Sequence, residues 1–528
     1  MQAAGASPIA DALPHLTTGA LALQGRSHGD VAELLQACCR STAAVADEWV
    51  AASTAAKGWT NVAHAAAEEW ASGPLPVARF LRVLHCLHRE LAAGRLPALR
   101  RSRTRLGGRD SYDVVPARGL CDPVLLRHYR ARVDCAAGSA PKAPERRGEV
   151  ALVLGAGNVT ATPMLDVLDQ VFLHGRAVVL KSSPLHRALA SVFDCALAPL
   201  RAAGLVQICG GDALLGQAIA RRPDIATVHV TGAVATWAAL RADQALAGKH
   251  LSAEVGCCTP AFVVPGAWRD GELRFVAQQL AAYVAMNGGA TCLAPRVVLT
   301  ANGWPQRRVF LQHLREELAA LPPRVPFHGS ARAHFATAAG ADPTSEALAP
   351  TLRQGLDWQH DRDLCAAEHF APIVLELPLP GEDAIAWLEH AVAFVRDHVF
   401  GALSAYVWVP PRMLLPLHQT LHAALDALPH GTIAINCWTG LGYGLGNTPW
   451  GVPPGSPWQC GVGWTRDTTC LPGVQRVVVE APLRPRPLPP WLPAHRGAAS
   501  TLRALTNYYL APSPLRMLAT AAHALRVP

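Results

Sequence analysis

The chain has 528 residues, half of them hydrophobic and 16% charged. This fits a globular protein of two or three domains and excludes a disordered scaffold. The formal charge of +8 sits mostly at one end: residues 476–528 hold seven arginines against Glu480, a net +6, which leaves +2 for the first 475 residues. With no RNA-binding motif or basic-aromatic platform beside that tail, no nucleic-acid partner is expected. The start lacks a basic stretch followed by an unbroken apolar core, and no run of 18 apolar residues occurs, so neither a secretory signal nor a membrane-spanning helix is expected. The fourteen cysteines show no Cys-x-x-Cys pair and no zinc spacing; they read as reduced thiols of a cytoplasmic protein without a metal site.

In chain order, apolar residues three and four apart predict helices from about residue 30 to 105, as in "GDVAELLQACCRSTAAVADEWVAAS". "AAGSAPKAPERRG" at 136–148 reads as a connecting loop. Then strands and helices alternate: "EVALVLGAGN", the helical "TPMLDVLDQVFLHG", "AVVLK", a helix near 185–203, "LVQIC", a helix near 213–221, and "ATVHVTG". Strands that are apolar throughout and separated by helices of this length predict a parallel sheet buried on both faces. A second mixed region runs from "PAFVVPG" at about 259 to "GTIAINCW" near 445. Residues 446–470, rich in Gly, Pro and Trp, predict a structured loop. The tail carries Leu502, Leu505, Tyr508 and Tyr509, then Leu515, Leu518 and Ala522, at helical spacing. Pro512 and Pro514 break it into two short helices. Docking of these on the catalytic domain or a sister subunit is expected in preference to an anionic membrane surface.

Six separated segments carry chemistry. "NGGATC" contains Asn287, Gly289 and Cys292; "EVGCCTP", 38 positions earlier, contains Glu254, Gly256 and Pro260. "GAGN" ends the first parallel strand at Asn158, "AVVLKSSP" contains Lys181, "HVTGAVATW" contains Thr231 and Gly232, and "EHFAP" contains Glu368 and Phe370. In this order and spacing they resemble the aldehyde dehydrogenase superfamily from roughly residue 148 to 475, with some likeness to its acyl-CoA reductase branch. The resemblance implies an α/β fold, with a Rossmann-type cofactor domain and an α/β catalytic domain. It further implies an N-terminal helical region at 1–147 leading into the cofactor domain at 148–258, and a catalytic domain at 259–445. A Gly/Pro/Trp-rich loop at 446–475 would return to the active site, followed by a basic extension at 476–528.

The roles the resemblance implies are Cys292 as nucleophile, Glu254 as general base and Asn158 as oxyanion donor. Lys181, Thr231, Gly232, Glu368 and Phe370 would bind NAD or NADP. A thiolate attack on an aldehyde carbonyl builds an alkoxide that needs donors at the developing charge, which Asn158 and the Cys292 N–H would supply. The thioester left after hydride transfer is then released by water through Glu254 or by coenzyme A. A homo-oligomer is also implied.

Plainer readings stand beside these. Asn158 would cap the following helix, Lys181 and Glu254 would be strand-end surface residues, and Glu368 would be solvated in the stretch beginning "DRDLCAAEH". The pair Cys257–Cys258 reads as small buried residues, with a redox pair as the alternative. Ala290, Ala233, Cys257 and Cys258 depart from the family pattern. Pro184 stands where many NAD-using members have a ribose-binding glutamate, and Arg187 nearby would favour a 2′-phosphate. Three functions follow: hydrolytic aldehyde oxidation, exchange of the thioester with coenzyme A, and a degenerate relative that only binds.

Overall fold

The computed structural model describes residues 7–102, 108–117, 122, 126–381 and 383–525. The chain starts with helices Ser7–Gly25, His28–Ala56, Ala65–Ser72 and Pro74–Ala92. His28–Ala56 is started by a capping box in which Ser27 and Asp30 satisfy each other's backbone N–H groups. Helix Pro74–Ala92 buries Val77, Phe80, Leu81 and Leu84, one face at the spacing the sequence shows.

Five parallel strands follow between residues 150 and 255: Val150–Leu154, Ala177–Ser182, Val206–Gly210, Thr227–Gly232 and His250–Val255. Helices such as Thr162–Phe172 make the crossovers. Val150–Leu154 pairs with Ala177–Ser182 on one side and Thr227–Gly232 on the other, so the sheet changes direction at this strand. In such sheets the crevice outside the carboxyl ends at the change of direction takes the ligand. The short strand Gly461–Val462 adds antiparallel to His250–Val255, with Gly461 opposite Glu254, which brings the Gly/Pro/Trp-rich loop to the site.

The second sheet has ten strands. Its parallel centre contains Pro260–Val263, Val297–Ala301, Ser404–Trp408 and Thr432–Ile435. It continues through Val474–Glu480 to Arg130–Cys135 and Asp110–Val115, the last two antiparallel. The region expected to be helical up to about 105 therefore leads into antiparallel strands of this sheet. These six-residue strands are too short, and their charged residues too frequent, to stand out as an apolar run. Residue 476, where the basic extension was placed, lies inside strand Val474–Glu480.

At the end of that strand His422 Nε2 lies 2.8 Å from Glu480 Oε1 and His418 Nε2 lies 3.8 Å from Oε2. The three residue types suit a metal, but Arg132 Nη2 donates to His422 Nδ1 across 3.2 Å. That places the His422 proton on Nε2, facing Glu480, and makes the cluster a charge network. Against the upward push of burial, the neighbouring His418 and His422 hold the Glu480 carboxyl well below the usual range.

The tail forms the two helices expected, Ala498–Leu510 and Pro514–Ala524. The first packs on helices Ala65–Ser72 and Pro74–Ala92, so it docks on the N-terminal region and not on the catalytic sheet. The second leaves Leu515 and Leu518 exposed. No helix of the described residues is long and apolar enough to cross a membrane.

One buried ion pair ties these parts together. Arg79 donates to both oxygens of Asp122 at 2.9 and 3.0 Å, to Tyr509 Oη at 2.5 Å and to Leu445 O at 2.5 Å. Asp122→Ala leaves the guanidinium buried without its counter-charge, which is expected to cost about 3–5 kcal/mol. Thermal melts check this: a Tm within a degree of wild type would show that the pair is dispensable.

Candidate active site

The two sheets and the extension enclose a cavity of about 1290 Å³. Cys292, Glu254, Asn158, Lys181, Thr231, Gly232, Glu368 and Phe370 all line it. Residues spread over more than two hundred positions are thus brought together.

Helix Asp270–Ala285 is followed by the turn Met286–Gly289, in which Asn287 and Gly288 adopt left-handed φ of 54° and 62°. Gly289 (φ 76°) packs so closely on the Ala371–Pro372 backbone that a Cβ would overlap it. Beneath the turn lies a buried network from the N-terminal helices. Lys57 Nζ donates to Asn287 Oδ1 at 2.7 Å and pairs with Glu69 at 2.5 Å. Glu68 Oε2 accepts the Asn287 N–H at 2.9 Å, while Arg324 binds Glu68 bidentately at 2.6 and 2.7 Å. Fully buried Arg296 donates to the carbonyls of Ala371, Gly289 and Thr291, fastening the Cys292 loop to the segment after Glu368. These contacts set the unusual backbone that presents Cys292.

The Cys292 thiol donates to Glu254 Oε1 across 3.7 Å. Burial, then the charges of Glu254 and Glu368, push its pKa well above the usual value. Glu254 is buried, not a surface residue; burial raises its pKa while Arg466 pulls it down. Arg466 is itself fully buried, with its guanidinium 4.2 Å from the Tyr443 ring centre. Asn158 Nδ2 donates to Ala290 O at 3.1 Å, and the Asn158 carbonyl accepts from Asn287 Nδ2 at 2.9 Å. The following helix is capped at Ala161 without a side-chain bond, so Asn158 faces the Cys292 loop and is not the cap.

Glu368 is not solvated either. Its carboxylate lies over Gly256, where a Cβ would overlap Oε2. Burial lifts its pKa from 4.5 to about 7, although Arg296 and the Cys257 N–H oppose this. A raised folded-state pKa means that the folded chain holds a proton the unfolded chain releases. The stabilisation is complete below about 4.5 and is lost as pH rises through about 7. Glu368→Gln is therefore expected to flatten the fall in Tm between about pH 5 and pH 8, measured by melts across that range. An unchanged slope would show that Glu368 is not the group. Cys257 and Cys258 are both fully buried free thiols, the small core residues expected.

On the other side of Cys292, helix Val234–Ala242 begins at Ala233 without a side-chain cap, and residues 232–236 line the cavity. Its first N–H groups are free to meet an anion. Lys181 is half-buried on the cavity wall, and burial lowers its pKa. The uncapped helix and the lysine fit the phosphates of a dinucleotide. Thr231 gives its hydroxyl to Asp166 Oδ2 at 2.9 Å. Phe370 (φ 49°) packs edge-on against His328, with ring centres 5.4 Å apart. Ser183, Pro184 and Leu185 line the cavity, and exposed Arg187 is not among the lining residues. The sequence also left unmarked Lys57, Glu68, Glu69, Arg296, Arg324 and Arg466, and the extension residues on the cavity wall. Lysine is rare in this chain, with four in 528 residues, and that rarity points to Lys57 as much as to Lys181.

Residues 158–333 match the Aldehyde dehydrogenase family. No curated protein matches the chain by sequence. Among solved structures, an NAD-dependent aldehyde dehydrogenase from Sinorhizobium meliloti is 17% identical, with TM-score 0.62 over 92% of this chain and 89% of that one. A mutant aldehyde dehydrogenase C from Pseudomonas syringae, in complex with NAD+ and octanal, is 16% identical (TM-score 0.63; 92% and 90% covered). An NADP-dependent glyceraldehyde-3-phosphate dehydrogenase from Bacillus halodurans, in complex with NADP, is also 16% identical (TM-score 0.61; 90% and 91% covered).

Proposed function

We propose that this chain, a member of the aldehyde dehydrogenase superfamily by its fold and by the sequence of residues 158–333, oxidises an aldehyde to a carboxylic acid with NAD or NADP. The observation that carries the reading is the thiol of Cys292 set 3.7 Å from the buried carboxylate of Glu254, on the wall of a cavity that also holds Asn158 and Lys181.

The thiol is held neutral by burial and two nearby carboxyls, so its proton must leave as the sulfur attacks. Glu254, with its own pKa raised, is the acceptor in reach. Asn158 Nδ2 carries two protons, one of which Ala290 O takes. The other, with the Cys292 N–H, serves the oxygen on which charge develops. Lys181 and the start of helix Val234–Ala242, with Gly232, Glu368 and Phe370 on the adjoining wall, would hold NAD or NADP, which would supply the hydride acceptor. Glu254, once it has passed the thiol's proton to water in the cavity, deprotonates the water that releases the acid from the Cys292 thioester. A base at this position favours water over coenzyme A.

The test is nicotinamide absorbance at 340 nm with uncharged aldehydes, with either cofactor, and with and without coenzyme A. Acid formation that ignores coenzyme A supports the reading. A strict requirement for coenzyme A replaces it with the acylating reaction. No turnover with any combination leaves a protein that only binds.

A further inference from the structure

We infer that the C-terminal extension is the specificity wall of the aldehyde pocket and that the pocket selects an uncharged aldehyde with an apolar body. The inference rests on the reading of Cys292 as the nucleophile, because that places the aldehyde carbonyl.

Beyond Cys292, away from Lys181, the cavity is walled by Leu75, Leu126, Trp438, Leu441 and Leu445. The remaining wall belongs to the extension: Trp491, Leu502, Leu505 and Tyr509. Leu502, Leu505 and Tyr509 stand at i, i+3 and i+7 of helix Ala498–Leu510, on one face. Trp491 packs on Trp438, with ring centres 5.4 Å apart, and Trp438 stacks in turn on Tyr283 at 5.9 Å. The wall is fixed, not loosely laid on. Tyr509 is 1% and Leu502 0% exposed, Tyr509 Oη bonds Arg79 at 2.5 Å, and His64 Nε2 bonds Leu492 O at 3.0 Å.

Charge decides the substrate class. Of the described residues lining the cavity, Lys181 and Asp212 stand at the cofactor-side strand ends, and Glu254 and Glu368 at the chemistry. The substrate side holds one charged side chain, Arg79, and Asp122, Tyr509 and Leu445 already take its donors. Among the described residues, no free cation is left there to receive a carboxylate or a phosphate. An alkyl or aryl body instead gains from each methylene it buries, roughly fourfold in affinity per group.

The experiment compares kcat/KM for propanal, nonanal and succinic semialdehyde in wild type, Leu505→Gln and Leu505→Ala, with melting curves to confirm folding. A parallel titration follows tryptophan fluorescence as nonanal is added to Cys292→Ala protein, with and without Leu505→Gln, which reads binding without turnover. Wild type should prefer nonanal to propanal by about a hundredfold, the effect of about three to four buried methylenes out of the six that distinguish them, and discriminate against succinic semialdehyde. Leu505→Gln should cut the nonanal-to-propanal ratio at least tenfold, and should weaken nonanal binding in the Cys292→Ala background by a similar factor. A ratio unchanged in folded Leu505 variants, or nonanal binding indifferent to Leu505→Gln, overturns the wall. If nonanal binds and Leu505→Gln weakens it while no aldehyde is oxidised, the wall stands and the oxidation reading falls.

Discussion

Replacing Cys292 by alanine is expected to lower aldehyde oxidation on the order of a thousandfold or more, with the fold unchanged. The structure supplies reasons for both halves. Sγ is the one nucleophilic atom beside Glu254 Oε1, at 3.7 Å, and a nearby carboxylate cannot replace it. The loop is held by Lys57, Glu68, Arg296 and Arg324 through Asn287, Gly289 and Thr291, none of which touches the thiol. Steady-state rates and thermal melts on the same sample decide the matter. Activity above a tenth of wild type in a folded variant would remove Cys292 from the mechanism.

Glu254→Gln is expected to separate the two halves of the reaction. The thiol loses a proton acceptor but also loses a negative charge that pushes its pKa up, so the two effects on thiolate formation oppose each other. Release has no such compensation, because an amide does not deprotonate water. Steady turnover should fall by about a hundredfold or more, while the first turnover still gives a rapid burst of reduced cofactor in stopped-flow absorbance. If burst and turnover fall together, Glu254 is structural or acts before acylation.

The site was legible because its chemistry-bearing residues end strands or occupy turns, where small residues and loss of apolar pattern mark them. "GAGN" after Val150–Leu154 and "VTG" at the end of Thr227–Gly232 are such places, and the parallel sheet gathers them at one edge. What supports them could not be read. Lys57 meets Asn287 across 230 positions and Arg324 meets Glu68 across 256, pairings that leave no local periodicity. The tail's two helices were legible from Pro512, Pro514 and the leucine spacing. Their partner was not, since an apolar helical face shows only that it needs cover. The antiparallel strands Asp110–Val115 and Arg130–Cys135 were missed for a related reason. Their burial depends on pairing with each other and with Val474–Glu480, more than 330 residues away.

The central claim is that the reaction passes through an acyl group on Cys292. The most direct measurement is acid quenching of Glu254→Gln protein milliseconds after mixing with nonanal and NAD or NADP, followed by digestion and mass spectrometry. The peptide containing Cys292 should carry the mass of a nonanoyl group in proportion to the burst of reduced cofactor. Reduced cofactor formed in stoichiometric amount with the Cys292 peptide unmodified would contradict the account.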